Sequence, residues 1–147
     1  MKGKVLLLVV VTAAVLAAAA AAARLDVIRG TNGPDDLRGT AAADFIYAGG
    51  GDDVVHASRG NDVIYGGPGN DVIWPGAGAD IQYGGVGNDV LHALANDNQP
   101  DVLDCGPGYD VAYAIVHDPV VFRGCERVIR LGADGAAALA AANGDDS

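Results

Sequence analysis

The sequence predicts an all-β protein, a parallel β-roll that is a β-helix-like solenoid of nine-residue repeats. Three observations predict this fold. The 147-residue chain contains 22 glycines, a composition that suits frequent tight turns. A nine-residue unit recurs nine times between residues 30 and 113, once with three additional residues. Each unit ends in a short β-prone segment, and self-similarity at a fixed short period indicates a solenoid.

Three positions of the unit recur together. The sixth position is always aspartate: Asp35, Asp44, Asp53, Asp62, Asp71, Asp80, Asp89, Asp101 and Asp110. The fourth position is glycine in seven units: Gly33, Gly51, Gly60, Gly69, Gly78, Gly87 and Gly108. The eighth position is apolar except at Gln82. Three coupled columns over nine units indicate a repeated structural element, because chance would not maintain them.

The central unit, GGPGNDVIW at 66–74, shows how one repeat folds. Its first six residues are rich in glycine, which permits positive φ and a tight turn. Val72, Ile73 and Trp74 favour a strand. Side chains alternate faces along a strand, so the apolar eighth column faces the interior. Two units then make one coil of 18 residues, and coils stack about 4.8 Å apart.

Stacking places the aspartates in two columns. We call one the odd edge, from odd-numbered units: Asp35, Asp53, Asp71, Asp89 and Asp110. The other is the even edge: Asp44, Asp62, Asp80 and Asp101. Stacked carboxylates repel by about 1 kcal/mol in water and several at a protein surface. A cation between them removes this repulsion.

Calcium suits these edges, because it takes about 6–8 oxygen ligands, and carboxylates and turn carbonyls supply oxygen. Magnesium demands a tighter octahedron, and zinc or copper would need histidine or cysteine clusters. The alternative is that the aspartates only cap turns. Nine aspartates in phase favour the cation, whereas Asn61, Asn70 and Asn88 fit a turn-stabilising role.

Residues 30–113 resemble the RTX, or haemolysin-type, calcium-binding nonapeptide family, whose pattern is G-G-x-G-x-D-x-U-x with U apolar. The resemblance implies a right-handed, calcium-loaded parallel β-roll with roughly four to six calcium ions. Its motif carries over to metal ligands at Asp53, Asp62, Asp71, Asp80, Asp89, Asp110, Gly51, Gly60, Gly67, Gly69, Gly76, Gly78, Gly85 and Gly87.

Three aspartates are expected to be weaker ligands. Asp35 lies at the first unit, where the stack frays. Asp44 follows alanines at 41–43, where the family has glycines. Asp101 follows the three-residue insertion, which disturbs its register. The sites are therefore expected to be best at the centre of the stack.

The N-terminus predicts export. Residues 1–23 combine Lys2 and Lys4 with an apolar, alanine-rich run, which is typical of a cleaved secretory signal peptide. An uncleaved anchor is the alternative, and no stable membrane span is expected after cleavage. Residues 24–29 form a short lead-in or N-terminal cap. The formal charge of −10 argues against nucleic-acid binding. We expect a secreted protein.

Beyond the repeats, residues 114–131 are apolar and β-prone and are expected to cap the open end of the roll. Cys105 and Cys125 are the only cysteines, and after export a disulfide is the default interpretation. A metal-binding or catalytic thiol pair is the alternative. The alanine-rich, acidic tail at 132–147 is expected to be flexible or to form a short helix at 136–142.

The ninth position carries two aromatic columns: Tyr47, Tyr65 and Tyr83 on one outer face, and His56, Trp74 and His92 on the other. Cross-coil packing explains both, and a ligand face at the tyrosines or Trp74 is the alternative. No catalytic constellation appears, so no enzyme is predicted. The predicted function is a secreted calcium-binding protein that folds as it binds calcium. An adhesion or carbohydrate-binding module and an enzyme or toxin fragment are the alternatives; any protein or glycan partner is unknown.

Overall fold

The computed structural model describes residues 25–142. The predicted signal peptide at 1–23 lies outside these residues. The odd-numbered strands are β1 Asp26–Arg29, β3 Asp44–Tyr47, β5 Val63–Pro68, β7 Ile81–Val86, β9 Asp101–Asp104 and β11 Val120–Arg123. The even-numbered strands are β2 Asp36–Arg38, β4 Val54–His56, β6 Val72–Trp74, β8 Val90–Ala93, β10 Val111–Ile115 and β12 Arg127–Leu131. A helix, α1, follows at Ala133–Ala142.

The strands form two six-stranded parallel sheets, one in the order β1-β3-β5-β7-β9-β11 and the other in the order β12-β10-β8-β6-β4-β2. Consecutive strands alternate between the sheets, so two units complete one coil. Ile46 pairs with Ile64, 18 residues later, as the nine-residue period requires. The three extra residues of the eighth unit lengthen one coil to 21, and Ile81 pairs with Val102. The predicted β-roll is confirmed.

The interior is one narrow layer of side chains, which both sheets contribute. The eighth position of the unit is buried along the roll: Ile46, Val55, Ile64, Ile73, Gln82, Leu91, Leu103 and Ala112. Small first-position residues, such as Ala48 and Ala57, fill the corners beside it. Gln82 is the polar member, and its Nε2 donates to the carbonyl of His92 at 2.7 Å. The predicted inward column is therefore confirmed.

Both ends of the roll continue its architecture. The lead-in forms β1, which pairs with β3. The C-terminal cap forms β11 and β12, which pair with β9 and β10 as a further parallel coil. The predicted disulfide between Cys105 and Cys125 is present, with 5.2 Å between the Cα atoms, and joins the last repeat to this coil.

Within the tail, Ala133–Ala142 is helical, which agrees with the alternative of a short helix. Alanine has the highest helix propensity, and the buried Ala136 anchors the helix, which contacts β10 and β12. Within residues 25–142, no helix is long and apolar enough to cross a membrane.

Candidate metal centre

The glycine-rich turns stack backbone against backbone. Positive φ occurs at the second position, as in Gly67 (114°) and Gly85 (118°), and at the fourth, as in Gly69 (147°). A Cβ on Gly67 would overlap the carbonyl oxygen of Gly49, one coil earlier. Conformation and space therefore both require glycine here. The other predicted ligand glycines share the positive φ: Gly51, Gly60, Gly76, Gly78 and Gly87.

The aspartates form a hydrogen-bonded ladder along each edge. After the first aspartate of each edge, Oδ1 of every repeat aspartate accepts the backbone N–H of the aspartate one coil earlier; Asp53 donates to Asp71 at 2.9 Å, and Asp71 to Asp89 at 2.8 Å. The odd ladder ends where Asp110 donates to Glu126 Oε2 at 2.8 Å. Turn stabilisation is thus one real role of these side chains, and it occupies one oxygen of each carboxylate.

The second carboxylate oxygen, Oδ2, has no such partner in the middle of the roll. It is buried and makes no hydrogen bond with any residue of 25–142 in six of the repeat aspartates: Asp53, Asp62, Asp71, Asp80, Asp89 and Asp110. A buried polar atom without a partner is costly, and a buried charge is more so. These orphaned oxygens are the strongest indication that the edges receive a cation.

Burial shifts the titration of these aspartates. Desolvation, together with nearby carboxylates, raises the pKa of Asp62 and Asp80 to about 7. The same cause raises the pKa of Asp71 and Asp89 to about 6. Backbone N–H donors oppose the shift only in part. Without a bound cation, the folded roll therefore disfavours the charged form that calcium requires.

Some orphaned Oδ2 atoms lie beside a glycine at the first position of the unit. At these places a backbone carbonyl oxygen faces the same small space. A Cβ on Gly66 would overlap both Oδ2 of Asp71 and the carbonyl oxygen of Gly84. A Cβ on Gly84 would meet Oδ2 of Asp89 and the carbonyl oxygen of Cys105, one coil later. Carboxylate and carbonyl oxygens are the ligands that calcium prefers, so the donor set fits this ion.

Side chains alone do not form a metal centre here. Across residues 25–142, no three histidine, cysteine, aspartate or glutamate side chains are grouped to hold a metal ion. This geometry disfavours zinc and copper, which take several such side chains. A cation at either edge must instead draw most of its ligands from the backbone of the stacked turns and from water.

Comparison with known families identifies the repeat. A family model described as the RTX calcium-binding nonapeptide repeat (4 copies) matches residues 29–63, 49–82 and 83–99. The chain carries RTX repeats and belongs to that family. RTX repeats bind calcium, in agreement with the oxygen donors of both edges. Neither the curated proteins nor the solved structures give a match.

The first two RTX units differ from the central ones. In the first, the N–H and Oγ1 of Thr31 both donate to Asp35 Oδ2, at 2.6 and 2.9 Å. In the second, the N–H and Oγ1 of Thr40 donate to Asp44 Oδ2, at 2.7 and 3.2 Å. A threonine at the second position thus satisfies the oxygen that is orphaned elsewhere. The sequence pattern predicts weaker sites at these two units, but it does not predict the threonine contacts.

The third weaker candidate, Asp101, keeps its place in the even ladder. Its Oδ1 accepts the N–H of Asp80 at 2.9 Å, 21 residues earlier, so the insertion loops out without breaking the column. Two further acidic residues accompany it: Asp97 within the insertion and Asp118 in the cap. Sequence reasoning missed both, because they lie outside the repeat pattern.

The two aromatic columns of the RTX roll differ in exposure. Tyr47, Tyr65 and Tyr83 are half-buried and stack with centroids 5.0 and 4.7 Å apart. Arg29 covers the free face of Tyr47 at 4.8 Å. Trp74 is only 3% exposed and stacks on His92 at 3.4 Å. Stacked rings cover each other's faces, which favours packing over ligand contact at both columns.

Proposed function

We propose that the protein is a secreted, non-catalytic RTX β-roll that folds as it binds about four to six calcium ions between its stacked turns. One observation carries the proposal: six buried repeat aspartates hold an oxygen without a hydrogen-bond partner in the part of the chain that the structure describes. Their number agrees with the proposed range of ions. A calcium ion at these oxygens would supply the missing partner and neutralise the columns.

Coupling between folding and calcium follows from the charge of the roll. Bringing the aspartates together and burying them costs free energy that the single narrow core does not offset. Calcium that binds only the folded chain adds its binding free energy to folding. Outside the cell, where calcium is abundant, the exported chain would therefore fold. The disulfide between Cys105 and Cys125 supports an oxidising, extracellular compartment.

Circular dichroism of the mature chain during calcium titration tests the proposal. We expect little β-structure in excess chelator, and a cooperative gain of β-signal as calcium is added. Calorimetry on the same sample should give about four to six ions per chain. A chain that is equally β-structured in chelator and in calcium would refute the coupling, and absence of heat on titration would refute calcium binding itself.

The alternative of a glycan-binding module at Tyr47, Tyr65, Tyr83 or Trp74 has less support. Sugars stack on exposed ring faces, whereas the tyrosine faces cover each other and Trp74 is buried. A glycan array with the calcium-loaded protein tests this alternative. Binding that is lost in Tyr65→Ala would establish it.

A further inference from the structure

The insertion in the eighth unit changes a hydrogen bond of the even edge near its C-terminal end. In four other turns, the N–H of the fourth-position glycine donates to a backbone carbonyl one coil later, at 2.8–3.1 Å: Gly51 to Pro68, Gly60 to Ala77, Gly69 to Val86 and Gly87 to Pro107. Gly78 instead donates to Oδ2 of Asp97 at 2.7 Å. The insertion therefore replaces a neutral carbonyl with a carboxylate.

The backbone holds two carboxylates in this turn. Oδ1 of Asp97 accepts the N–H of Gln99 at 3.0 Å, so both oxygens of Asp97 are fixed by amides. Oδ1 of Asp101 accepts the N–H of Asp80, and the N–H of Asp101 donates to the carbonyl of Pro119 at 3.1 Å. The last contact brings the cap directly onto the coil that carries the insertion.

Asp118 enters this region from the cap. Its side chain is only 8% exposed, and its Oδ2 has no hydrogen-bond partner within residues 25–142. The backbone N–H of Asn98, in the eighth unit, opposes the rise in the pKa of Asp118, so this carboxylate lies near the insertion. Asp80 contributes a second buried Oδ2 without a partner. Nearly complete burial of a carboxylate beside other carboxylates is costly unless a cation is present.

The charges of these residues act on one another. Burial, together with the nearby carboxylates of Asp80, Asp97 and Asp118, raises the pKa of Asp101 to about 7. Burial also raises the pKa of Asp118, with Asp97 adding to the shift and His117 offsetting part of it. Four carboxylates therefore share one local field, and a single neighbouring histidine opposes it. The central turns have only the repeat aspartates and, on the odd edge, the exposed Asp52.

We propose that the insertion at 93–104 and the cap residue Asp118 form an additional calcium site at the C-terminal end of the even edge. Asp101 and Asp118 would supply carboxylate oxygens, and Asp97, whose two oxygens are held by amides, would add negative charge beside them. Backbone carbonyls and water would complete the coordination, as at the repeat sites. Asp97 and Asp118 lie outside the nonapeptide pattern, and Asp101 belongs to it. The even edge would then end in its most acidic site rather than its weakest.

This inference rests on the proposed function, because the roll must bind calcium at its repeats to fold. Native mass spectrometry and calorimetry of the disulfide-intact, mature chain test it with calcium as the probe. The variant is Asp97→Asn/Asp118→Asn, in which each amide keeps an acceptor oxygen. We expect one calcium ion fewer than in the wild type, with the remaining affinities unchanged. The matched control is Asp36→Asn/Asp134→Asn, which removes two exposed charges and should keep the wild-type count.

The outcomes separate the two proposals. A wild type that binds no calcium overturns the proposed function. A wild type that binds calcium, with a double variant of the same count and affinities, overturns only the additional site. If circular dichroism shows that the double variant does not fold in calcium, Asp118→Asn alone decides. That variant should lose one ion or bind one ion at least tenfold more weakly, and wild-type binding in it would refute the site.

Discussion

The first two turns and the central turns of the roll share an aspartate at the same position but use it differently. In the first two, the threonine at the second position donates hydrogen bonds to Oδ2 of the aspartate. In the central turns of the odd edge, a second-position glycine directs its N–H to the next coil, as Gly49 does to the carbonyl of Gly66 at 3.1 Å. The aspartate oxygen is then left without a partner. Availability for a cation thus depends on the second residue of the unit as well as on the sixth.

The largest expected effect comes from pH, because it acts on all the orphaned aspartates at once. Their pKa is raised by burial above the ordinary 3.8, to about 7 for Asp62 and about 6 for Asp71. The folded form therefore binds more protons than the unfolded form. In chelator, the free energy of unfolding should rise as pH falls from about 7 towards 4. Calcium affinity should fall over the same range, since protons compete with the ion.

Circular dichroism in chelator at pH 8 and at pH 4.5 measures the first effect, and calorimetry with calcium at pH 8 and pH 5.5 measures the second. β-Structure in chelator that decreases on acidification would contradict the role given to the buried carboxylates. The central turns should dominate this response, because Thr31 and Thr40 already donate hydrogen bonds to Oδ2 of Asp35 and Asp44.

The next effect separates the two kinds of turn directly. Asp71→Asn keeps an oxygen that can accept the N–H of Asp53 but loses the charge at the orphaned position. A charge-assisted contact is worth about 1.5–3 kcal/mol, so calcium should bind the affected gap about 10- to 100-fold more weakly. Asp35→Asn is the control, because Thr31 already donates a hydrogen bond to Oδ2 of Asp35. Calorimetry should show near-wild-type calcium binding in Asp35→Asn; equal losses in both would remove the distinction.

A smaller effect is expected where threonine replaces glycine. Thr40→Val keeps the shape of the side chain and removes the hydroxyl that donates to the buried Asp44. The calcium-loaded protein should lose about 1 kcal/mol of stability in thermal unfolding, because a buried acceptor loses a donor. Thr31→Val should cost less, since Asp35 is only half-buried. A change in calcium stoichiometry in Thr40→Val would show that Asp44 is a ligand after all.

The smallest expected effect concerns the backbone conformation at the second position of the unit. Ser58 also occupies a second position, but its φ is +88°, like that of the glycines and unlike the threonines. Its Asp62 keeps an orphaned oxygen, so a hydroxyl residue at this position is not sufficient to satisfy the carboxylate. Ser58→Gly should raise stability by about 1 kcal/mol by relieving the unfavourable φ. Ser58→Ala should not, and an equal gain in both variants would exclude backbone strain as the cause.

Most of the fold follows from the sequence, because the nine-residue period couples turn, strand and core. The inward column from Ile46 to Ala112, the parallel pairing and the disulfide were all predictable. The ends were less so: β11 and β12 lack the glycine pattern and pair with the roll through apolar residues such as Phe122. The helix of the tail was one of two open alternatives.

The positions of the site aspartates were predictable from the sequence, but the hydrogen bonds of their carboxylate oxygens were not. The period places every aspartate but does not tell which oxygen is already bonded. That depends on Thr31 and Thr40, whose hydroxyls act only once the turn has closed. Asp97 and Asp118 were beyond reach for a different reason. Their contact depends on the path of an insertion and on the docking of the cap, and neither has a period.

The aspartate ladder also gives the roll a direction. The backbone N–H of each aspartate in the ladder donates to a carboxylate on the coil that follows it in the chain. On the odd edge, Glu126 supplies the last of these acceptors. Removal of the first coil would leave every remaining aspartate amide of this ladder with its acceptor, whereas removal of the last would take Glu126 away from Asp110. Because a chain is synthesised from its N-terminus, each aspartate amide gains its carboxylate acceptor only when the following coil has been made. The ladder therefore finishes at the end of the roll that the disulfide holds.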